Sequence, residues 1–186
     1  NNLSELVAPA VAEAYDFSRT GKLVDVAGGH GILLAGILRK YPAVQGILSD
    51  LPFVIAGAGG ELEKQGVQDR VELVSGDFFA AVPEGADCYM MKHIIHDWND
   101  EQSIRILKNI GSAMKEGGKL LLVEMVVPGG DIPHPSKTLD VLMLLAEGGK
   151  ERTAEEFRQL LKAAGFNMTG ITPTPSPMSI IEAIPA

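Results

Sequence analysis

Short apolar runs alternate along most of this chain with longer segments that have helical periodicity. Runs rich in Val, Leu and Ile are typical of buried parallel strands, and they cover Leu23–Ala27, Val44–Ser49, Val71–Ser75, Cys88–Lys92 and Lys119–Val127. Between and after them, apolar spacing predicts helices over Ile32–Tyr41, Phe53–Gln65, Ile104–Lys115 and Thr153–Ala164. This alternation predicts an α/β fold with a doubly wound, mostly parallel sheet covered by helices on both faces.

Capping signals precede two of these helices. Asn99 and Gln102 have the spacing of a capping box before the third helix, and Thr153 and Glu156 have it before the fourth. Asp97 is a second candidate cap for the third helix. These residues predict where the two helices begin.

The last quarter of the chain has a different pattern. Two strand-like runs, Phe166–Thr172 and Ser179–Ala183, are joined by the proline-rich segment Pro173–Pro177. Such a connection reverses the chain but is too short for a crossover helix. We therefore expect an antiparallel hairpin at the sheet edge. The Gly/Pro-rich stretch Pro128–Pro135 is expected to be a surface loop.

Composition is consistent with one globular domain over residues 1–186, in which residues 1–22 form a leading helix. The chain is 46% hydrophobic and 22% charged, and its 16 basic and 24 acidic residues give a net charge of −8. An acidic chain is a poor partner for nucleic acid, and no apolar run approaches the roughly 20 residues of a membrane helix. A single cysteine, Cys88, gives no sign of an oxidising compartment, so the expected location is the cytoplasm. The chain begins at Asn1 without an initiator Met, which indicates a piece of something longer.

A glycine-rich loop after the first strand is the first candidate site. Ala27, Gly28, Gly29 and Gly31 lead directly into the first helix, where small residues allow close backbone approach and the helix start offers unpaired N–H groups. The dinucleotide fingerprint fits poorly because Leu34 occupies the place of its third glycine. This disfavours a nicotinamide-dependent oxidoreductase. A simple tight turn is the alternative.

Asp50 strengthens the nucleotide interpretation. It closes the second strand, 22 residues after Gly28, where a carboxylate can accept hydrogen bonds from both hydroxyls of a ribose. The alternative role is an N-terminal cap for the helix that begins near Phe53.

Five ordered motifs resemble one family over the chain from Leu23 onward. The motifs are Asp25–Gly31 (DVAGGHG), Ser49–Pro52 (SDLP), Gly76–Phe79 (GDFF), Met91–Trp98 (MKHIIHDW) and Gly148–Thr153 (GGKERT). Together they resemble the catalytic domain of the S-adenosylmethionine-dependent O-methyltransferases related to caffeic acid, hydroxyindole and bacterial polyketide O-methyltransferases. The resemblance implies a Rossmann-like methyltransferase sheet and S-adenosylmethionine as cofactor.

The resemblance also implies which residues bind that cofactor. The loop from Ala27 through Gly28 and Gly29 to Gly31 would face its methionine portion. The remaining cofactor-binding positions are Asp50 at the ribose, Leu51 beside it in the chain, Asp77 and Phe78 at the adenine, and Lys92 lining the pocket. Ala27 departs from the family, where glycine is common. The implied contact there is through the backbone, so the methyl group is a small change.

The same resemblance makes His96 the general base, with Glu124 and Glu151 as orienting carboxylates. A base is needed because a phenol titrates near 10, whereas histidine titrates near 6.5. The alternatives are packing at a helix entry for His96, a salt bridge within the sheet for Glu124, and an exposed position for Glu151. Glu124 interrupts an apolar run, and buried acids are rare unless paired. We expect His93 to be structural or to line the pocket.

Two further residues are assigned to substrate binding. Met143 lies on an apolar segment before Gly148, and the resemblance implies that it clamps an aromatic acceptor; ordinary core packing is the alternative. Trp98 is expected to pack as a wall of the site rather than to stack on the substrate. No catalytic metal is expected, because His93, His96 and Asp97 lack a third His or a Cys at zinc spacing and the motifs match the metal-independent branch.

These features predict methyl transfer to a hydroxyl of a small aromatic or polyketide-like acceptor, and the resemblance implies that this hydroxyl is phenolic. The alternatives are a hydroxylase- or decarboxylase-like relative that keeps the cofactor, and a non-catalytic cofactor-binding domain. In this family an N-terminal helical domain forms the dimer and part of the acceptor pocket, and no such segment precedes Leu23. We therefore expect a homodimer for the full-length protein, and a monomeric fragment that binds cofactor but turns over poorly.

Overall fold

A computed structural model describes the backbone of residues 2–146 and 148–186, and the side chains of residues 5–143 and 148–186. The leading helix predicted over residues 1–22 is shorter than expected and spans Asn2–Ala14; Asn1 lies outside the described residues. None of the described helices has the length and apolarity needed to cross a bilayer.

The strands form a doubly wound sheet. Numbered β1 to β9 in chain order, they are Lys22–Val26, Gln45–Asp50, Val71–Ser75, Cys88–Lys92, Lys119–Glu124, Val126–Val127, Arg152–Thr153, Phe166–Pro173 and Ser179–Pro185. Among the described residues, seven strands share one sheet in the order β3-β2-β1-β4-β5-β9-β8. The first five are mutually parallel, whereas β9 is antiparallel to both β5 and β8. The predicted fold, including the antiparallel hairpin at the edge, is confirmed.

The helices pack on both faces of this sheet. Numbered α1 to α6, they are Asn2–Ala14, Ile32–Lys40, Pro52–Lys64, Asp100–Ala113, Pro135–Ala146 and Ala154–Ala163, and two 3-10 helices cover Gln68–Arg70 and Ile95–Asp97. The capping box of Thr153 and Glu156 is formed at α6. Asn99 caps α4 by accepting the N–H of Gln102. The alternative prediction that Asp97 caps this helix is wrong, because Asp97 lies inside the preceding 3-10 helix.

Alternation along the strands divides the core into two layers. Leu23 of β1 packs with α1, α2 and α3 on one face, whereas Val24 packs with α4 and α6 on the other. Because successive side chains point to opposite faces, Asp25 is directed to the same face as Leu23. A carboxylate is thereby placed among apolar side chains beneath the start of α2.

The strand predicted over Lys119–Val127 divides in two. β5 ends at Glu124, one residue after the last position that pairs with β4. Val126–Val127 then pairs in parallel with Arg152–Thr153 in a separate two-stranded sheet. This second sheet draws the segment before α6 towards the end of β4, where the candidate site lies.

Candidate active site

The loop between β1 and α2 uses left-handed backbone conformations at Ala27, Gly29 and Gly31, with φ of 57°, 61° and 81°. This region costs an L-residue roughly 1–2 kcal/mol, whereas glycine adopts it freely. The N–H of Ala27 donates to the carbonyl of Ser49 at 2.7 Å, which ties the loop to β2. Alanine at position 27 is therefore accommodated with local strain, which explains why glycine suits this position.

Gly28 is required for a different reason, close packing. A Cβ at this position would lie 2.5 Å from Cγ of Asp25 and 2.5 Å from Cδ1 of Leu48. No side chain fits in that space. The loop thus lies directly on the end of β1.

Asp25 lies beneath this loop as a buried carboxylate. It is 1% exposed, and neither of its oxygens has a hydrogen-bond partner among the described residues. Burial raises the pKa of Asp25 to about 7, although the positive charge of Lys92 opposes the shift. An unpaired buried carboxylate is costly, so it marks a place where a polar or cationic group could bind.

Asp50 braces the same loop from the end of β2. Its Oδ2 accepts the N–H of Gly29 at 2.8 Å, and its Oδ1 accepts the N–H of Leu51 at 2.7 Å. The helix cap of α3 is Leu51, without a side-chain bond, so the alternative role of Asp50 as a cap is wrong. The carboxylate is half-buried, and Leu51 is 41% exposed beside it.

An aromatic cluster lies after β3. Asp77 is exposed, and its Oδ1 accepts the N–H of Phe79 at 2.8 Å. The ring of Trp98 packs edge-on against Phe78 and Phe79, with centroids 6.1 and 4.8 Å apart. Trp98 therefore packs against the rings of Phe78 and Phe79. The guanidinium of Arg105 lies 5.5 Å from the centroid of the Phe79 ring, a contact that sequence reasoning missed.

A pocket of about 200 Å³ joins the loop after β1 to the end of β4. Its lining residues include Asp25, Gly28, Gly29, Lys92 and His93. The structure thus brings together the glycine loop and Lys92, as the sequence predicted for residues at the carboxyl ends of neighbouring strands. His93 lines the pocket, as expected.

His96 is buried at the centre of the 3-10 helix that follows β4 and is 4% exposed. Its Nδ1 lies 2.7 Å from Oε1 of Glu151, and its Nε2 lies 3.2 Å from Oδ1 of Asp97. Burial alone would lower the pKa of His96. The hydrogen bond to Glu151 and the charges of Glu124 and Asp97 outweigh burial and raise the pKa above its ordinary value.

Glu124 acts on His96 through its charge and through the backbone. It is fully buried at the end of β5, and its Oε1 accepts the N–H groups of Ile94 and Ile95 at 3.1 and 2.9 Å. Burial raises the pKa of Glu124 to about 7, and the charge of His96 opposes the shift. The alternative of a salt bridge within the sheet is wrong: the carboxylate holds the backbone that carries His96.

The glycine turn before Glu151 approaches the backbone of His96 very closely. A Cβ on Gly149 would lie 2.0 Å from the carbonyl oxygen of His96, and the N–H of Lys150 donates to that oxygen at 2.9 Å. Glu151 itself is 4% exposed, so the alternative of an exposed position is wrong. The requirement for glycine at position 149 depends on a tertiary contact that no local sequence pattern reveals.

His93 lies against His96 in an unusual conformation. Its φ is 58°, its ring centroid is 3.7 Å from that of His96 at an interplanar angle of 32°, and its Nε2 has no partner among the described residues. Burial and the neighbouring charge of His96 lower the pKa of His93 to about 3. The pair therefore combines a neutral imidazole with one that is readily protonated.

The same residues offer possible metal ligands. Atoms of His93, His96 and Glu151 lie within 4.8 Å of one another. The two imidazole rings are stacked, with centroids 3.7 Å apart and an interplanar angle of 32°. Nδ1 of His96 is moreover already bonded to Glu151. The donor geometry therefore favours a hydrogen-bonded acid–base pair over a metal centre.

Met143 lies on α5, the helix whose Asp140 accepts the N–H of Glu151 at 2.9 Å. Met143 is half-buried, whereas Val141 and Leu142 beside it are 57% and 53% exposed. This part of α5 is apolar and open. The substrate-binding residues predicted from the sequence thus fall into two places, with Trp98 in the aromatic cluster and Met143 on α5.

Comparison with known proteins gives consistent matches. The family model described as an O-methyltransferase domain matches residues 1–167. The phenazine O-methyltransferase PhzM of Lysobacter antibioticus is 48% identical over 179 residues, which cover 96% of this chain and 52% of that protein. The chain spans about half the length of the relatives it matches.

Solved structures show the same similarity in three dimensions. The crystal structure of LaPhzM has a TM-score of 0.96 and 46% identity, covering 99% of this chain and 55% of the other. That of CalO1, a methyltransferase of calicheamicin biosynthesis in its SAH-bound form, has a TM-score of 0.92 and 41% identity, covering 99% and 54%. The likeness extends over nearly the whole of this chain.

Proposed function

This chain belongs to the O-methyltransferase domain family, and from that premise we propose that it transfers a methyl group from S-adenosylmethionine to a hydroxyl of a small aromatic acceptor. The observation that carries the proposal is the buried pair of His96 and Glu151, 2.7 Å apart. The ring of His96 stacks on His93, which lines the glycine-loop pocket. This arrangement supports a base next to the candidate cofactor site.

The residues around the pocket fit this cofactor. Asp25 contributes a buried carboxyl group that has no hydrogen-bond partner among the described residues, and Gly28 packs directly against it. We assign the loop Ala27–Gly31 to the methionine portion and Asp50 with Leu51 to the ribose. When bound, the cofactor supplies an electrophilic methyl group on a positively charged sulfur. SAH in the structure of CalO1 supports this assignment.

The adenine is assigned to the residues that follow β3. Asp77 would accept a hydrogen bond from the adenine amino group, and Phe78 would cover the ring. Trp98 supports Phe78 from behind through an edge-on contact. Lys92 would line the pocket between this cluster and the glycine loop.

His96 is assigned the proton transfer. Its Nε2 would accept the proton of the acceptor hydroxyl, while Glu151, which holds Nδ1, and Asp97, 3.2 Å from Nε2, stabilise the imidazolium that forms. Glu124 keeps the surrounding backbone in place through two N–H groups. General-base catalysis of this kind contributes about 10²- to 10⁴-fold to the rate. Alignment of the reacting groups supplies much of the remainder.

The acceptor is proposed to be a flat hydroxylated aromatic. The name of one relative, a phenazine O-methyltransferase, supports this class. The open apolar side chains of Val141 and Leu142 beside Met143 are suited to such a ring. Because the chain matches about half of each relative's length, we propose that in a longer protein an N-terminal domain completes this pocket and forms the homodimer.

The experiment measures cofactor binding and methyl transfer separately. The 186-residue chain and the full-length gene product are titrated with S-adenosylmethionine by calorimetry, then incubated with the methyl-labelled cofactor and a panel of hydroxylated phenazines, naphthoates and simple phenols. We expect binding in both and transfer in the full-length protein. Binding without transfer to any acceptor would favour a non-catalytic or hydroxylase-like relative, and absence of binding would refute the cofactor assignment.

The base is tested by His96→Gln in the full-length protein, with His134→Gln as control because His134 bonds Ser136 away from the pocket. We expect a rate loss of about 10²-fold or more for the first variant only. A His96→Gln enzyme that methylates at the parent rate would show that another group removes the proton.

A further inference from the structure

Arg152 follows Glu151 directly, yet the proton transfer proposed above does not use it. Its side chain is 1% exposed. A buried guanidinium costs free energy unless its N–H groups are paired and hydrogen-bonded. The partners of Arg152 therefore indicate what this buried charge holds.

Two of those partners bracket the segment that carries His96. Nη1 of Arg152 donates to the carbonyl of Ile95 at 3.0 Å, and Nη2 donates to the carbonyl of Trp98 at 2.9 Å. Ile95 begins the 3-10 helix, and Trp98 is its C-terminal cap. Within this turn the carbonyl of Ile95 also accepts the N–H of Trp98 at 3.3 Å. Arg152 adds a charged donor to the carbonyl at each end of the turn.

The guanidinium is itself fixed by other contacts. Oδ1 of Asp100 accepts from both Nη2, at 2.8 Å, and Nε, at 3.2 Å. One carboxylate oxygen therefore orients the plane of the guanidinium. Nη2 also lies 3.4 Å from Oγ of Ser103, and Nη1 donates to the carbonyl of Lys150 at 3.3 Å. These contacts tie the His96 segment to both α4 and the strand that precedes α6.

Glu124 holds the opposite side of the same turn. Its Oε1 accepts the N–H groups of Ile94 and Ile95, whereas Arg152 binds carbonyls. The backbone around His96 is thus fixed between a buried carboxylate on its N–H side and a buried guanidinium on its carbonyl side.

We propose that Arg152 is a positioning residue for the methyl-transfer reaction: it fixes the backbone of His96 so that the imidazole meets Glu151. One dipeptide, Glu151–Arg152, then supplies both the carboxylate that orients the ring and the guanidinium that locates the backbone bearing it. The inference rests on the proposed role of His96 as base.

The test is Arg152→Lys in the full chain, because lysine keeps the positive charge but cannot bridge the carbonyls of Ile95 and Trp98. The pKa of His96 is measured by NMR titration, with its resonance identified by comparison with His96→Gln. Thermal unfolding and calorimetric cofactor binding are measured on the same samples. The control is Arg158→Lys, an exposed arginine on α6 that pairs with Glu155.

In Arg152→Lys we expect the pKa of His96 to fall below the parent value, because the imidazole loses its bond to Glu151. Cofactor affinity should stay within about twofold of the parent. In the full-length enzyme kcat should fall by about 10²-fold, the scale of a 1 Å misplacement of a reacting group. Arg158→Lys should leave the pKa of His96, the affinity and kcat at parent values.

An unchanged pKa of His96 together with a lower melting temperature would overturn the proposal, since Arg152 would then only stabilise the fold. If Arg152→Lys does not fold, Asp100→Asn frees the guanidinium instead, with the neighbouring exposed Glu101→Gln as a charge-matched control. A fall in the His96 pKa in Asp100→Asn beyond that in Glu101→Gln supports positioning, and equal values overturn it. Full methylation by His96→Gln would refute the base assignment, whereas the pKa comparison would still report whether Arg152 places the ring.

Discussion

The imidazole of His96 and the carboxylate of Glu151 are 55 residues apart in the chain and share a buried hydrogen bond of 2.7 Å. The two residues approach because the parallel pairing of Val126–Val127 with Arg152–Thr153 brings the segment before α6 to the end of β4. The bond raises the pKa of His96 against the opposing effect of burial. The pKa of this ring therefore depends on a carboxylate that only the tertiary structure brings near it.

Replacing Glu151 with Gln removes that charge with little change in size. We expect the pKa of His96 to fall, since burial is then less opposed, and the acidic limb of the pH–rate profile to move to lower pH. The maximal rate should drop by about 10²-fold as the ring loses its orienting partner. A profile measured from pH 5 to 9 on the full-length enzyme checks both effects.

The control for that experiment is Glu155→Gln, which alters an exposed carboxylate on α6. It should reproduce the parent profile. An unshifted profile in Glu151→Gln would mean that the ionisation seen in the rate does not belong to His96.

Gly149→Ala tests the close approach of two backbones. Its Cβ would lie 2.0 Å from the carbonyl oxygen of His96, so either the glycine turn or the 3-10 helix must move. We expect a loss of stability of about 1–3 kcal/mol, the usual range for overpacking, and a fall in activity. Denaturant unfolding and initial rates measure the two effects.

Gly129→Ala serves as the comparison, because no atom lies within 4 Å of a Cβ at that position. It should unfold at the parent denaturant concentration. If both variants were equally stable, the contact between Gly149 and His96 would have no energetic consequence.

The raised pKa of Asp25 predicts how the free energy of unfolding depends on pH. The folded-state pKa of about 7 lies above the ordinary value of 3.8, so between these values the native state binds a proton that the unfolded state has lost. The free energy of unfolding should therefore fall as pH rises from about 4 to about 7. Asp25→Asn should flatten this decline, and urea unfolding at several pH values measures it.

The pKa of Glu124 is also raised, to about 7. Part of the fall in unfolding free energy with pH should therefore persist in Asp25→Asn. Asp131→Asn, at an exposed loop position, should keep the full parent slope. If the unfolding free energy of Asp25→Asn fell with pH as steeply as that of the parent, the pH dependence could not be assigned to the carboxyl group of Asp25.

Asp50→Asn tests the ribose assignment. The change removes a charge and one of two acceptor oxygens, and it weakens the bond that holds Gly29. We expect cofactor affinity to fall by about tenfold or more, because hydrogen bonds to charged groups are worth about 1.5–3 kcal/mol. Asp69→Asn, exposed in the first 3-10 helix, should bind like the parent in calorimetry.

Most of the fold could be predicted from the sequence because it follows from local periodicity. β3 and β4 begin and end at the predicted residues, and the capping box of Thr153 and Glu156 is formed. The break at Met125 could not be predicted, since β5 ends one residue after its pairing with β4 ends, and no local pattern reveals that pairing.

Which residues gather at the candidate site could be predicted from the sequence, but the contacts between them could not. Placement of Asp50 and Lys92 at the ends of parallel strands follows from topology. The action of Glu124 through the backbone, the burial of Arg152 and the need for glycine at position 149 all depend on how the second sheet packs against the His96 turn. No pattern within one segment contains that information.

The position of β9 between β5 and β8 has a consequence for synthesis of the protein. About 55 residues separate the end of β5 from the start of β9, which corresponds to roughly 3–11 s of translation at 5–20 residues per second. For an interval of this length β5 has emerged from the ribosome while β9, its partner in the sheet, has not. An unpaired strand edge is a template for other chains, so the nascent polypeptide is most vulnerable to aggregation in the seconds before its last hairpin emerges.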